Sequence, residues 1–436
     1  KKDNALKMKV FLLLSLCLVC VSTIDNGLGR LPPMGWRSWN AFHGDISQEK
    51  MIAAAKTLVD KSRMVNGKPT SLLELGYESV GLDDYWQQCG AGINGSFHDK
   101  DGNPIINLEI FPSMKDMNKE IHSMGLKSGW YFNNCHCGES GHLEPNWPPQ
   151  MRGDTSAIFE LGYDGVKLDG CGPSHNTTEW SELLNKTGRA MMIENCHDNT
   201  TFPFWNNPKT FDRLVCPMNF WRVSGDIEPE WPKIIRNLQA VIPFQDLEHP
   251  MSSPGCWNYP DMLEVANGDL NFAESRSHFG AWCVVSSPLI LGFDTTDKTR
   301  MDMAWPIITN TEALSVSQTW AGHPGRLVKQ DTQQILMNIT HATEGRPNLL
   351  PTVVGAWQVW GKSLGKGSQA ALLLNIASIN TTISVKPSDL GFQDHEKVHV
   401  RDIWEHKDLP AMTGDQTYTI TLGSHDSKFL RMDPIV

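Results

Sequence analysis

Positive charge is scarce in this sequence of 436 residues. Lysine and arginine together number 38, against 49 aspartates and glutamates, which gives a formal net charge of −11. A negatively charged protein repels phosphate, so neither nucleic acid nor an anionic membrane surface is an expected partner. After residue 23 no apolar run approaches the roughly 20 residues of a membrane-spanning helix, so no membrane span is expected. The composition favours a small or neutral substrate. A homodimer is compatible with the sequence, which does not define the oligomeric state.

The sequence also lacks the local motifs of several enzyme classes. No Gly-x-Gly-x-x-Gly follows a predicted strand, and there is neither a P-loop nor the nucleophile elbow of a serine hydrolase. Cys135-His136-Cys137 is too tightly spaced for a pair of zinc ligands, and no partner pair follows it. We therefore expect neither a metal nor another cofactor.

Features of the N-terminus and the cysteines indicate the secretory pathway. The apolar run Val10–Val21 follows Lys9 and is too short to span a bilayer, which is typical of a secretory signal. We expect residues 1–23 to be a leader and signal peptide, and the mature protein to be extracellular or lysosomal/vacuolar. Eight later cysteines suit an oxidising compartment: Cys89, Cys135, Cys137, Cys171, Cys196, Cys216, Cys256 and Cys283. Six sequons predict N-glycosylation at Asn94, Asn176, Asn185, Asn199, Asn338 and Asn380.

Short apolar runs alternate with amphipathic, helix-like stretches over the first three hundred residues. The runs are Met34–Trp39, Tyr77–Leu82, Leu126–Phe132, Tyr163–Leu168, Ala190–Ile193, Leu214–Met218, Val241–Phe244 and Trp282–Leu291. Strands that alternate with helices form a parallel sheet, and eight such units favour a (β/α)8 TIM barrel over an open sheet. The predicted fold class is thus α/β, with the barrel at residues 24–324.

The pattern changes after about residue 325. The remaining segment contains short strand-like runs separated by glycine, asparagine and proline, and the helical pattern is largely absent. This is typical of antiparallel β-structure. We expect a C-terminal antiparallel β-sandwich at residues 325–436.

Polar side chains follow several of the predicted barrel strands. Asp83-Asp84, Asn133-Asn134, Asp169-Gly170 and Glu194-Asn195-Cys196 each come directly after an apolar run. The carboxyl ends of the strands in a (β/α)8 barrel meet at one mouth, where the active site lies. Asp83-Asp84 could there bind a divalent metal, cap a helix or bind sugar hydroxyls.

Two aspartates are candidate catalytic groups. Lys167 and Asp169 share one face of a strand, so the lysine should lower the pKa of Asp169 and keep it ionised, as a nucleophile requires. The alternative is a structural ion pair. Asp226 lies on a glycine-containing turn near Trp221, where aromatic surface and another carboxylate would raise its pKa and suit it to be a general acid. Its alternative role is a helix N-cap ahead of Ile227–Trp231.

Five segments carry a family resemblance. They are Pro32-Pro33-Met34-Gly35-Trp36-x-Ser38-Trp39-Asn40, Leu82-Asp83-Asp84-x-Trp86, Val166-Lys167-Leu168-Asp169-Gly170-Cys171, Trp221-Arg222-x-x-Gly225-Asp226-Ile227 and Trp257-Asn258-x-Pro260-Asp261-Met262-Leu263-Glu264. Together they resemble the α-galactosidase (melibiase) family, family 27 of the glycoside hydrolases. The resemblance implies a (β/α)8 barrel with a C-terminal antiparallel domain, no metal, and hydrolysis of α-galactosides with retention of configuration.

The resemblance also implies roles for individual residues. Asp169 resembles the nucleophile of the family and Asp226 its acid/base. The residues that resemble galactose-binding groups or line the family's pocket are Trp39, Asp83, Asp84, Tyr131, Lys167, Arg222 and Asp261. The two adjacent aspartates match the residues that select the axial 4-hydroxyl, so galacto rather than gluco configuration is expected.

The sequence departs from the family pattern at four positions. Arg37, Tyr85 and Tyr259 replace an asparagine, a cysteine and an aspartate, and the change at Tyr85 implies that one family disulfide is missing. His197 stands where α-galactosidases have a glutamate that contacts the sugar 2-hydroxyl, so it is the candidate determinant of specificity at C2. Imidazole is bulkier than the small residue of α-N-acetylgalactosaminidases, which disfavours an N-acetyl substrate.

The leading hypothesis is a retaining α-galactosidase that acts through a covalent glycosyl-enzyme on oligosaccharides or glycoconjugates. Alternatives on the same site are an α-N-acetylgalactosaminidase, a β-L-arabinopyranosidase or a galactosyl-transferring enzyme. A non-catalytic lectin-like binder is disfavoured because both candidate catalytic aspartates are present. By position, we expect a Cys196–Cys216 disulfide and a bond from Cys171 to Cys137, with Cys135 as the alternative partner.

Overall fold

The structure, a computed structural model, describes residues 26–133, 137, 147–172, 174–196, 216–246, 250–337 and 353–435. The predicted leader lies outside the described residues, as do His197 and the sequons at Asn199 and Asn338. The other four sequon asparagines, Asn94, Asn176, Asn185 and Asn380, are exposed. Their glycosylation stays a prediction.

Eight strands form one parallel sheet in the N-terminal two thirds of the chain. They are β1 (Met34–Arg37), β2 (Ser79–Gly81), β3 (Lys127–Phe132), β4 (Gly165–Asp169), β5 (Met192–Cys196), β6 (Phe220–Arg222), β7 (Trp257–Tyr259) and β8 (Leu289–Leu291). Their spatial order is β8-β1-β2-β3-β4-β5-β6-β7. The backbone N–H of Leu263, just after β7, donates to the carbonyl of Ile290 at 2.7 Å. This bridge closes the barrel.

Helices follow the strands on the outside of the barrel. They are α1 (Gln48–Val59), α2 (Met114–Ser123), α3 (Trp147–Leu161), α4 (Thr177–Lys186), α5 (Trp231–Gln239), α6 (Phe272–Val284), α7 (Lys298–Ile308) and α8 (Thr311–Ser317), with a single turn at Trp39–Phe42. Side-chain caps define where several begin. Asn271 and Glu274 form a reciprocal capping box at the start of α6, which satisfies backbone donors that a helix leaves free.

Three predicted strand positions are wrong in detail. Strand β6 follows the predicted run Leu214–Met218 instead of coinciding with it, and Val241–Phe244 contains a 3-10 turn, Ile242–Phe244, after α5. Pro243 lacks a backbone donor for a central strand, which explains the turn. The true β7 lies further along, and the first part of Trp282–Leu291 ends α6.

The C-terminal part of the chain is antiparallel. Its strands are β9 (Arg326–Gln330), β10 (Gln334–Leu336), β11 (Val353–Gly355), β12 (Trp357–Gly365), β13 (Ser368–Asn375), β14 (Thr381–Val385), β15 (Lys397–Asp402), β16 (Lys407–Thr413), β17 (Tyr418–Leu422) and β18 (Ser427–Pro434). A six-stranded sheet has the order β9-β12-β13-β18-β15-β16, and β14 pairs with β17. The predicted fold class, a TIM-like barrel followed by an antiparallel β domain, is confirmed.

The central strands of the six-stranded sheet are buried on both faces. Along β13, Leu372 and Leu374 belong to the same apolar cluster as the barrel core, whereas Leu373 packs with Ile383 of β14 in a second cluster. Alternate residues of a strand point to opposite faces. One face of the sheet therefore packs against the barrel, and the other packs against the two-stranded sheet formed by β14 and β17. Gly280 on α6 lies close to Leu372, where a Cβ atom would approach its side chain to 2.9 Å.

The disulfides differ from the predicted pairs. Cys216 is bonded to Cys256 and Cys89 to Cys137, while Cys196 is a buried free thiol. The predicted Cys196–Cys216 and Cys137–Cys171 bonds are therefore wrong.

Strand direction explains both corrections. Cys196 ends β5 at the mouth of the barrel, but Cys216 and Cys256 precede β6 and β7 at the opposite end. Cys89 and Cys137 follow β2 and β3, which are neighbours, so their loops meet at the mouth. Cys171 is also disulfide-bonded.

These bonds can be checked by peptide mapping of the folded protein, digested without reduction after the free thiols are alkylated in denaturant. We expect one linked peptide with Cys216 and Cys256, another with Cys89 and Cys137, and alkylated Cys196 and Cys283. Both of these thiols are buried, so alkylation before denaturation should be slow. A peptide that links Cys196 to Cys216 would contradict the structure.

Candidate active site

A cavity opens at the carboxyl ends of the barrel strands. Its lining residues are Trp39, Asn40, Asp83, Asp84, Tyr85, Tyr131, Lys167, Asp169, Cys171, Cys196, Arg222, Asp226, Ile227, Asp261 and Met262. Every predicted site residue within the described part of the chain is in this set. Only His197 is missing, because it lies outside the described residues.

Asp83 and Asp84 form the buried end of the cavity. The backbone N–H of Asp83 donates to Ser38 Oγ at 2.9 Å, and Lys167 Nζ donates to Asp83 Oδ2, also at 2.9 Å. The lysine thus pairs directly with Asp83 instead of Asp169. Both groups are almost fully buried, and a buried charge needs such a partner.

Asp84 is held by neutral donors. Gln87 Nε2 donates to its Oδ1 at 2.6 Å, and the backbone N–H of Tyr85 donates to the same oxygen at 2.8 Å. Burial raises the pKa of Asp84 to about 6, although these hydrogen bonds oppose the shift, and the charges of Asp83 and Asp169 add to it. Asp84 therefore changes charge in mildly acidic solution.

Asp169 ends β4 and is enclosed by donors. The Tyr131 hydroxyl donates to Oδ2, and the backbone N–H of Gly170 donates to Oδ1 at 2.5 Å. Burial raises the pKa of Asp169, while the charge of Lys167 and the Tyr131 hydrogen bond lower it. The net direction is upward, so the predicted lowering by Lys167 is present but is outweighed by burial.

Asp226 lies on the turn after β6 and is the most accessible carboxylate of the site. Its side chain is 65% exposed, and Arg222 Nη2 donates to Oδ1 at 2.9 Å. Removal from bulk water raises the pKa of Asp226, but the charge and hydrogen bond of Arg222 outweigh this, and the pKa is lowered. The predicted rise is wrong because strand alternation places Arg222 beside Asp226 and turns Trp221 towards Phe244, with their rings 5.2 Å apart.

The alternative role of Asp226 as a helix cap is also excluded. Helix α5 begins at Trp231 and its N-cap residue is Glu230, whose side chain makes no capping bond. The backbone carbonyl of Asp226 instead accepts from Arg236 Nη2 at 2.7 Å. The aspartate side chain is therefore directed to the cavity and not to the helix.

Arg222 connects three strands around the cavity. Besides Asp226, its guanidinium contacts Asp261 Oδ2 at 3.0 Å and donates to Cys196 Sγ at 3.2 Å. The Asp261 carboxylate also accepts from the backbone N–H groups of Ile227 and Met262, at 2.9 and 2.8 Å. These contacts fix Arg222 and with it the position of Asp226.

One functional pair was not predicted. Arg37, at the end of β1, forms a buried ion pair with Glu194 on β5 and lies 3.8 Å from Asp83 Oδ2. Its side chain passes over Gly81, where a Cβ atom would come within 3.3 Å of the guanidinium carbon. The sequence contains a signal for this pair, because Arg37 lies within one apolar run and Glu194 directly follows another.

The described residues contain no group of three or more His, Cys, Asp or Glu side chains arranged to hold a metal ion. Nor do they include a helix long and apolar enough to cross a bilayer.

The pocket at the mouth of this (β/α)8 barrel is acidic, with Asp169 at the end of one strand, Asp226 on the turn after another and a buried carboxylate–lysine pair. This arrangement is typical of a glycosidase site. The sequence profile of the α-galactosidase A family matches residues 31–319, and the profile of the α-galactosidase C-terminal β-sandwich domain matches residues 354–432. The chain therefore belongs to the α-galactosidase A family, family 27 of the glycoside hydrolases, as the motifs indicated.

Individual relatives agree with this assignment. An α-galactosidase of Cyamopsis tetragonoloba is 29% identical over 423 residues, which cover 94% of this chain and 88% of the relative. The α-galactosidase mel1 of Schizosaccharomyces pombe is 31% identical over 341 residues, 70% of each chain. The crystal structure of α-galactosidase I from Mortierella vinacea has a TM-score of 0.71 at 24% identity and covers 94% of this chain and 98% of its own. This last likeness supports the fold.

The Arg37–Glu194 pair can be tested by a double-mutant cycle on the free energy of unfolding. Arg37→Asn and Glu194→Gln should each cost about 3–5 kcal/mol, because each leaves a buried polar or charged partner without its counterpart. The double variant should lose clearly less free energy of unfolding than the sum of the two single variants, with a coupling energy of about 2 kcal/mol or more.

The exposed pair Lys56–Glu120, at 3.1 Å, provides the matched control. The same cycle with Lys56→Gln and Glu120→Gln should give a coupling energy below about 1 kcal/mol. Additive losses for Arg37 and Glu194 in denaturant titrations would show that the buried pair does not act as a unit.

Proposed function

We propose that this protein is a retaining α-galactosidase that removes terminal α-linked galactose by double displacement. One observation supports this most strongly. Asp169 and Asp226 line the same cavity as the galactose-binding candidates Asp83, Asp84 and Lys167, in a chain of the α-galactosidase A family. Its curated relatives from plants and yeast carry the name α-galactosidase.

In the first step a carboxylate oxygen of Asp169 attacks C1 of galactose. The bond from C1 to the glycosidic oxygen breaks, and Asp226 donates its proton to that leaving oxygen. In the second step Asp226 accepts a proton from water, whose oxygen attacks C1 and displaces Asp169. Two displacements at C1 return galactose in its original α configuration.

The protonation states of the free site suit the second step better than the first. Arg222 lowers the pKa of Asp226, while burial raises the pKa of Asp169. The form that starts the reaction, with Asp169 ionised and Asp226 protonated, is thus a minor fraction of the singly protonated site. As the pH falls, the first proton goes mainly to Asp169 and in a small fraction of molecules to Asp226, and a second proton then protonates both groups. We therefore expect a bell-shaped kcat/KM profile with its basic limb set mainly by Asp169 and its acidic limb mainly by Asp226.

Galactose recognition depends on the buried end of the cavity. The Asp83 carboxyl group accepts hydrogen bonds from hydroxyls, and Lys167 donates them, so the pair can bind hydroxyl groups in a fixed geometry. A sugar with a misplaced 4-hydroxyl would leave these groups unpaired, at a cost of roughly 1–3 kcal/mol each. Specificity at C2 is assigned to His197 by the resemblance alone.

We also propose that the enzyme works in the secretory pathway or a compartment reached from it. The disulfides Cys89–Cys137 and Cys216–Cys256 suit an oxidising compartment. Four exposed sequon asparagines are compatible with glycan attachment.

Side-by-side assays of nitrophenyl α-galactoside, α-N-acetylgalactosaminide, β-L-arabinopyranoside and α-glucoside test the function. We expect the α-galactoside to have the highest kcat/KM, and proton NMR to show α-galactose as the first product. A preference for α-glucoside would contradict the assignment of Asp83 and Asp84. Release of β-galactose would contradict a nucleophilic Asp169.

Two variants separate the catalytic roles. Asp169→Asn should lower kcat by at least about 10⁴-fold on every substrate, since no glycosyl-enzyme forms. Asp226→Asn should lower kcat/KM about 10²–10⁴-fold for an alkyl galactoside. The loss of kcat/KM should be much smaller for a dinitrophenyl galactoside, because kcat/KM reports the first step and this leaving group needs no proton. Equal losses of Asp226→Asn on both substrates would rule out its role as the acid.

The Tyr131–Asp169 hydrogen bond predicts a pH effect. Donation from Tyr131 stabilises ionised Asp169, so Tyr131→Phe should raise the pKa of Asp169. Because the first proton of the free site goes mainly to Asp169, the basic limb of the kcat/KM profile should move to higher pH by about 0.5 to 1 unit. Tyr163→Phe, which removes a buried hydroxyl outside the site, is the control and should leave the limb in place. An unmoved limb in Tyr131→Phe would show that Asp169 does not govern it.

A further inference from the structure

Tyr85 occupies the outer part of the active-site cavity, at a position where the family pattern has cysteine. The residue is 39% exposed, whereas the two preceding aspartates, Asp83 and Asp84, are 2% and 6% exposed. The segment therefore rises from the buried end of the cavity to solvent within three residues. A galactose bound to the two aspartates would fill the buried end, and the group attached to it would extend towards the exposed rim.

The backbone of Tyr85 is strained. Its φ angle is +74°, a left-handed conformation that costs a non-glycine residue about 1–2 kcal/mol. The backbone N–H of Tyr85 donates to Asp84 Oδ1 at 2.8 Å in this conformation. Strain of this kind persists where the surrounding structure enforces it, and such positions cluster at binding sites. The backbone that carries the aromatic side chain is thus hydrogen-bonded to a proposed galactose-binding carboxylate.

Two neighbours position the Tyr85 ring. A Cβ atom at Gly44 would lie 2.7 Å from two ring carbons, so the absence of a side chain there leaves room for the ring. The ring centroid of Trp39 lies 6.0 Å from that of Tyr85 at an interplanar angle of 33°. Both rings line the cavity that contains Asp169 and Asp226.

We propose that Tyr85, supported by Trp39, binds the first sugar unit of the aglycone, on the leaving-group side of the scissile bond. This inference rests on the proposed α-galactosidase function. An aromatic face binds the C–H groups of a neutral sugar ring by apolar contact, without the charged groups that hold galactose. The cysteine of the family pattern cannot offer such a face, so this chain should depend on the second sugar more than that pattern implies.

The test compares two substrates with the same galactose and different aglycones: methyl α-galactoside and an α-1,6-linked galactosyl disaccharide. We expect Tyr85→Ala to lower the ratio of kcat/KM for the disaccharide to kcat/KM for the methyl galactoside about fivefold. Tyr85→Phe should keep the ratio within about twofold of wild type, because the ring face remains. Phe159→Ala, which removes a 43% exposed ring on the outer helix α3, should leave both rates unchanged.

The possible outcomes distinguish a failure of the Tyr85 inference from a failure of the proposed function. An unchanged ratio in Tyr85→Ala, or an equal loss on both substrates, would overturn the inference while leaving the galactosidase function intact. Circular dichroism and inhibition by free galactose show whether the Tyr85→Ala pocket is still folded. The inference is supported if this variant binds galactose as tightly as wild type but has the lowered ratio of kcat/KM values. A wild-type enzyme inactive on both substrates would refute the proposed function, and the inference with it.

Discussion

The buried end of the active site depends on charge compensation between side chains from different strands of the barrel. Glu194, Arg37, Asp83 and Lys167 alternate in sign and come from β5, β1, the end of β2, and β4. Unpaired, each charge would be costly to bury, but together they are neutral. The arrangement requires a closed barrel, since only closure brings these strand ends to one mouth. The proposed sugar-binding carboxylate is thus part of the same network that stabilises the interior.

Arg222 compensates the charges of two further carboxylates that line the cavity. It joins the exposed Asp226 to the buried Asp261 and to the thiol of Cys196. In contrast, Asp84 and Asp169 have no cation in direct contact within the described residues, and burial raises the pKa of both. The site therefore contains one carboxylate, Asp226, whose pKa is lowered by a cation, and two, Asp84 and Asp169, whose pKa is raised by burial.

Much of this could be predicted from the sequence because strand ends in a parallel barrel converge. Asp83, Asp169 and Asp226 could be placed at one mouth from their positions after apolar runs and from the family motifs. The disulfides could not, because pairing depends on which end of the barrel a cysteine occupies. Cys196 and Cys216 are near in sequence but lie at opposite ends of their strands.

The ion-pair partners and the pKa shifts of the site could not be predicted from the sequence either. Spacing placed Lys167 on the same face as Asp169, but the partner of the lysine is Asp83 from another strand. The predicted rise in the pKa of Asp226 is wrong because the neighbouring Arg222 lowers it. Pair identities and pKa directions depend on contacts between strands, which a local pattern does not contain.

The two-sided burial of the C-terminal sheet has an evolutionary consequence. Leu372 and Leu374 would be exposed if the β domain were separated, and so would the barrel surface around Gly280 that they cover. An exposed apolar face of that kind promotes aggregation. The two domains are therefore not interchangeable modules: their contact surfaces must change together, and a chimera of this barrel with a distant β domain would need its interface redesigned.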